Sequence, residues 1–176
     1  MVAANAFMLL FRFLHIVAGA FWFGSAWLFS GFIGPAADEV GPSAGPLLTN
    51  AIKKRHAAKV VVAAGVVTVL AGLVMYWHDW HLYGSFGRWI GSSFGTVVTI
   101  GAIAAVIAAT DGVLFVARNV ERLLDIGGQL ATEIGPPSTE LVERMGKLQR
   151  QLKVGSIVDL VLLTIAVSAM ASARYW

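Results

Sequence analysis

Four runs of apolar residues, about Ala6–Ile33, His56–Trp77, Trp89–Ala117 and Val154–Ala173, constrain this chain more than any other feature. Each reaches the roughly 20 residues a helix needs to cross the hydrocarbon core of a bilayer. In lipid the backbone must satisfy its own hydrogen bonds, so a spanning segment is a helix or part of a closed barrel. Continuous apolar runs of this length, without strand-like alternation, point to helices. The expected fold is therefore an all-α integral membrane protein. A single domain over 1–176 would form an antiparallel up-down-up-down four-helix bundle.

Composition agrees: 57% of residues are hydrophobic, 13% are charged, and mean hydropathy is +0.75. The stretch from Phe7 to Gly34 is too long for the apolar core of a cleavable signal, so it reads as a retained span. Cysteine is absent, which excludes disulfides, thiolate metal sites, covalently attached haem and cysteine nucleophiles.

Between the runs, the segment from Gly34 to Arg55 holds Pro35, Gly41, Pro42 and Pro46 and is expected to be irregular. The segment from Asp79 to Arg88 is short, with Trp80, Tyr83 and Phe86 suited to an interfacial aromatic belt. The third, Arg118 to Lys153, is expected to break at Gly127-Gly128 and at Gly135-Pro136-Pro137. A helix then restarts near Ser138-Thr139, without a complete capping box, and its stripe Leu141, Met145, Leu148, Leu152 runs into the last span.

Lys and Arg set the expected orientation. Lys53, Lys54, Arg55, Lys59, Arg118, Arg122, Arg144, Lys147, Arg150 and Lys153 flank one side; Arg12, Arg88 and Arg174 flank the other. The basic side is cytoplasmic by the positive-inside rule, which puts both termini outside. The same distribution accounts for the net charge of +3 and pI near 9.5 without a nucleic-acid partner. Gly, Ala and Ser recur where helices must touch, as at Gly19, Gly65, Gly72 and Gly101.

Ionisable groups at membrane depth are functional candidates by default. His15 falls in the outer half of the first span, about 12 Å down at about 1.5 Å of rise per residue. Arg12, His15, Gly19 and Trp22 share one stripe. A b-type haem needs an axial imidazole, a flat slot and a cation for its propionates. His15 would supply the ligand, Arg12 the cation, Gly19 a notch and Trp22 an apolar wall. The competing reading has His15 bonded to a neighbouring helix carbonyl and Arg12 snorkelling to headgroups. On the second span Ala64, Thr68, Ala71, Met75 and His78 share a face, and Met75 or His78 would close a six-coordinate site. His78, His81 and Asp79 also have the spacing of a surface metal site, or of plain interfacial polar residues.

A second constellation is acidic. Asp111 and Asp159 fall in the inner half, roughly 10 Å from the basic face by helical rise, with Lys59, His56 and Arg118 approaching from that side. They read either as a proton or ion relay with Lys59, or as interhelical ion pairs, Asp111 with Arg118 or Lys59 and Asp159 with another base. No phosphate-binding loop, dinucleotide glycine signature, zinc-protease motif or nucleophile elbow is present.

The stretch Arg12-Phe13-Leu14-His15-Ile16-Val17-Ala18-Gly19-Ala20-Phe21-Trp22-Phe23-Gly24 resembles the first helix of a loose group of small bacterial membrane proteins. The group includes the copper-resistance protein D domain, the membrane domain of cytochrome-linked urate oxidase and HemJ-type protoporphyrinogen oxidases. Lys54-Arg55 followed by Gly65-Val66-Val67-Thr68-Val69-Leu70-Ala71-Gly72-Leu73 is similar to the HemJ-type second helix, and Met170-Ala171-Ser172-Ala173-Arg174-Tyr175 looks like uncharacterised relatives. The likeness covers about half the chain. It implies a multi-pass protein of the bacterial cytoplasmic membrane with haem b on His15. The HemJ-type His-x-Lys after a Trp is missing, because Trp89 is followed by Ile90-Gly91-Ser92-Ser93. That disfavours protoporphyrinogen oxidation. Met75, His78 and His81 make a thin copper path.

The expected function is haem b binding for electron transfer or redox sensing near the outer face, with quinone, a periplasmic cytochrome or a larger membrane complex as partner. The alternatives are a haem-free structural or accessory subunit and a small copper or haem transporter.

Overall fold

In the computed structural model, residues 2–132 and 138–176 are described, and among them no strand occurs. The elements are α1 (Val2–Leu28), α2 (Gly34–Val40), α3 (Gly45–Thr49), α4 (Ala57–Leu82), α5 (Phe86–Gly91), α6 (Ser93–Asp111), α7 (Ala117–Thr132) and α8 (Thr139–Ser172). Wider π-type turns at Phe29–Ile33 and Gly112–Val116 join α1 to α2 and α6 to α7 without breaking the rod. Four segments are long and apolar enough to cross a membrane: Ala6–Val40, Ala57–Leu82, Ser93–Leu130 and Thr139–Tyr175. The chain is thus a multi-pass membrane protein by length and composition.

Its surface is inverted relative to a water-soluble bundle. Phe13, Leu70, Ile103 and Val161 are each more than half exposed, as expected where the surrounding solvent is hydrocarbon. The buried core is correspondingly small. Trp22, Ala108 and Leu163 form its centre, where α1, α6 and α8 meet. Hydroxyls that lie on apolar helices are satisfied within their own helix: Thr68, Thr99, Thr110 and Thr164 each donate to the carbonyl four residues back.

Two helix pairs dominate the packing, α1 with α4 and α6 with α8, and looser α4–α6 and α1–α8 contacts complete the ring. Without a hydrophobic force between helices in lipid, close backbone approach through small residues drives association. On the α1–α4 seam, a Cβ added at Gly72 would sit 2.9 Å from the His15 ring, one at Gly19 3.3 Å from the Thr68 methyl, and one at Gly65 3.1 Å from the Trp22 indole. Rising numbers on α1 thus meet falling numbers on α4. On the α6–α8 seam a Cβ at Gly101 would meet the Ala169 methyl at 3.0 Å.

Two expectations about the connecting segments are corrected. The Gly34–Arg55 segment is helical almost throughout, because Pro35 and Pro46 stand in the first turns of α2 and α3, where a missing N–H costs nothing. Gly127-Gly128 does not break α7, which runs on to Thr132; two glycines disfavour a helix by about 1 kcal/mol each but do not forbid one, and α7 is held along α8. Gly135-Pro136-Pro137 lies outside the described residues.

The third span does not begin at Trp89. Trp89 belongs to α5, and Ser92 starts α6 by accepting from the Gly95 N–H. Trp89 is completely buried and meets Tyr76, Tyr83 and Phe94 edge-on at 5.0–5.6 Å. At the far end of the chain, Ser138 caps α8 by accepting from the Leu141 N–H, and α8 runs unbroken through the last span.

Candidate functional site

His15 is half-buried on the inner stripe of α1. Its Nδ1 lies 2.8 Å from the backbone carbonyl of Thr68 on α4. A carbonyl can only accept, so Nδ1 carries the hydrogen and donates, which leaves the Nε2 lone pair unclaimed in the neutral ring. Glycine at position 72 is what admits the ring to the seam. The Thr68 hydroxyl turns back to the Ala64 carbonyl and does not compete for His15. Metal-ligating imidazoles are commonly oriented this way, the second nitrogen donating to a carbonyl or carboxylate. The carbonyl-bonded histidine and the ligand histidine, alternatives in the sequence, therefore describe one geometry.

The companions of His15 are arranged differently from the sequence pattern. Gly19 and Trp22 are taken up by α4, Gly19 against Thr68 and Trp22 over Gly65, so Gly19 leaves no open notch beside His15. Arg12 is exposed, one turn toward the chain start. Met75 is half-buried one turn beyond Gly72. His78 stands a further three residues on, about 9 Å of rise past Gly72, and its Nδ1 faces Asp79 Oδ1 at 3.2 Å. His81 bonds the Trp77 carbonyl and packs against Trp77 and Trp80. Among the described residues, no group of three or more His, Asp or Glu forms a ready metal cage.

At the other end, Asp111 closes α6 and Asp159 sits within α8, and the two carboxyl groups are neighbours. Glycines leave room for them. A Cβ at Gly112 would be 3.5 Å from Asp159 Oδ2, and one at Gly155 3.6 Å from Asp111 Oδ2. Asp111 Oδ2 and Asp159 Oδ1 are buried with no hydrogen-bond partner. The expected ion pairs to Arg118 or Lys59 are not made: the ion pairs among the described residues are Lys53–Asp125, His78–Asp79 and Arg144–Glu140. Lys59 is exposed at the start of α4. The π-type turn that begins at Gly112 directly follows Asp111, and such turns concentrate at functional sites.

A cavity of about 770 Å³ lies beside this pair, lined by all four membrane-spanning segments. Trp22, Gly65 and Leu163 line its deep end, and Gln149, Arg150, Lys153, Ser156 and Asp159 line the α8 side. His15, Arg12, Met75 and His78 are not among its lining residues. Sequence reasoning counted Arg150 and Lys153 only as orientation charges. The signal for more was there: Arg150, Lys153, Ser156 and Asp159 follow one another every three residues along α8, each about one turn from the next.

No protein-family model, curated protein or solved structure matches this chain.

Proposed function

We propose that this chain is a b-type haem protein of the bacterial cytoplasmic membrane, built as an antiparallel up-down-up-down bundle with both termini outside and His15 as the iron ligand. The observation that carries the reading is the His15–Thr68 hydrogen bond, which holds the imidazole in one orientation with Nε2 free. The donor chemistry of His15 therefore fits a haem iron. Arg12, one turn outward, is the cation for a propionate, and Met75 is the nearer of the two candidate second ligands. A bound haem would supply one-electron chemistry at the outer half of the bundle, for exchange with a quinone or a periplasmic cytochrome. Thr68 and Gly72 act through His15. The carbonyl of Thr68 fixes the ring, and the missing side chain at 72 lets it approach. With His78 engaged by Asp79, the reading is a site anchored by one histidine.

The test is the reduced-minus-oxidised visible spectrum of the detergent-purified protein, with haem quantified per chain. One haem per chain is expected, lost in His15→Ala and kept in His78→Ala, while both variants still insert. Full haem occupancy in His15→Ala would remove the assignment. A protein that stays colourless after haem feeding would favour the accessory-subunit reading. The transporter reading draws on the cavity and the unpaired Asp111–Asp159 contact instead, and predicts substrate movement in vesicles that depends on both carboxyls.

A further inference from the structure

The cavity between the helices has a chemistry that the haem reading leaves unused. Its volume, about 770 Å³, is that of a single small ligand. Its walls are mainly aliphatic, with Val61, Val113, Val116 and Ile157 among them. It is blind at the deep end, where the core contact of Trp22, Ala108 and Leu163 closes the bundle. Both π-type turns that widen the rods, Phe29–Ile33 and Gly112–Val116, contribute lining residues.

Charge marks the other end. Arg150 and Lys153 lie one turn apart on α8, and both line the cavity. Neither has a carboxylate within ion-pair distance among the described residues. Two unpaired cations at the rim of an apolar pocket between membrane helices are complementary to an anionic head on an apolar tail. From Lys153 to Leu163 the helix rises by about 15 Å, the scale of a single extended acyl tail. Asp159 lines the cavity partway down, with Asp111 as its neighbour.

We infer that the cavity binds a long-chain fatty-acid carboxylate, its head on Arg150 and Lys153 and its tail running toward Trp22. This site is separate from His15 and stands or falls independently of haem.

Trp22 gives a built-in reporter at the blind end. The protein would be placed in nanodiscs of dioleoylphosphatidylcholine and titrated with stearate brominated near its tail, with tryptophan emission read. Saturable quenching is expected, absent in Trp22→Phe. Arg150→Gln with Lys153→Gln should weaken half-saturation about tenfold or more, as loss of charge-assisted contacts requires. Arg150→Lys with Lys153→Arg should retain binding. Both positions are exposed, so neither substitution removes a buried contact. The assignment is overturned if the uncharged methyl ester or a brominated long-chain amine saturates equally well. It is also overturned if the Gln pair is indistinguishable from wild type, if Trp22→Phe keeps the saturable component, or if brominated phosphatidylglycerol in the disc quenches Trp22 as strongly.

Discussion

Gly72→Ala tests the seam on which the histidine depends. The new methyl would stand 2.9 Å from His15 Cε1 and 3.0 Å from Nδ1, well inside ordinary van der Waals contact. The ring is held in place, because its Nδ1 is committed to the Thr68 carbonyl at 2.8 Å. Two losses result. Displacing the ring breaks the hydrogen bond, at about 0.5–1.5 kcal/mol, and forcing an extra methyl into a filled contact costs about 1–3 kcal/mol. Alanine's helix preference returns about 1 kcal/mol.

Gly24→Ala on α1 is the internal control, since a Cβ there meets nothing within 4 Å and only the helix preference applies. The helix preference is common to both and cancels, so the two variants should differ by about 1.5–4.5 kcal/mol in bundle stability. Unfolding by sodium dodecyl sulfate from mixed micelles, followed by tryptophan fluorescence, measures the difference. Nitrogen NMR of the histidines should show the His15 tautomer preference, with hydrogen on Nδ1, in Gly24→Ala and not in Gly72→Ala. Equal stabilities with an unchanged His15 spectrum would refute the claim that glycine at 72 seats the ring.

Gly95→Ala should be harsher, because its Cβ would fall 2.0 Å from the backbone oxygen of Trp89, which cannot rotate away. A loss of about 3 kcal/mol or more, with collapse of the near-ultraviolet dichroism of the buried Trp89, is expected; a native-like spectrum would contradict the α5–α6 geometry. Asp159→Asn should leave the bundle as stable or raise it by about 1 kcal/mol, since an amide can donate to Asp111. Asp159→Leu, by contrast, strands Asp111 without a partner and should cost about 1–3 kcal/mol in the same unfolding assay; the reverse order would mean that the carboxyls do not face each other.

Hydropathy made the four spans legible, because a run such as Val60–Val74 carries no charge and has no soluble alternative. The junctions were less legible because proline and glycine are ambiguous. Pro35 and Pro46 read as breakers, yet both occupy first turns, where the ring fits the helix. Gly127 and Gly128 read as a stop, yet contact with α8 outweighs their entropy. Trp89 looked like the start of a span because it borders an apolar run. Its burial against Tyr76 and Phe94 depends on the break at Ser92, which no periodicity announces.

At the candidate sites, depth was readable and partnership was not. Counting residues put Asp111 and Asp159 at one level, but bases one or two turns away made ion pairs the natural guess. Which face each carboxyl takes depends on the α6–α8 register, set by contacts such as Gly101 with Ala169, ten residues away from Asp111. His15 is the converse case. A neighbouring helix carbonyl was one of its two expected partners, while which carbonyl it meets, that of Thr68, has no signature in side-chain pattern.

The unequal packing of the ring has a mechanical consequence. The α1–α4 and α6–α8 pairs act as plates, each joined by side chains seated against glycines, His15 on Gly72 and Trp22 on Gly65 in one and Ala169 on Gly101 in the other. The seam between the plates is sparser, and it is crossed near mid-length by Trp22, Ala108 and Leu163. Such a contact is a fulcrum. A small tilt of one plate about it closes one end of the bundle as it opens the other, so crowding at the basic end and gaping at the His15 end would be two readings of a single rotation.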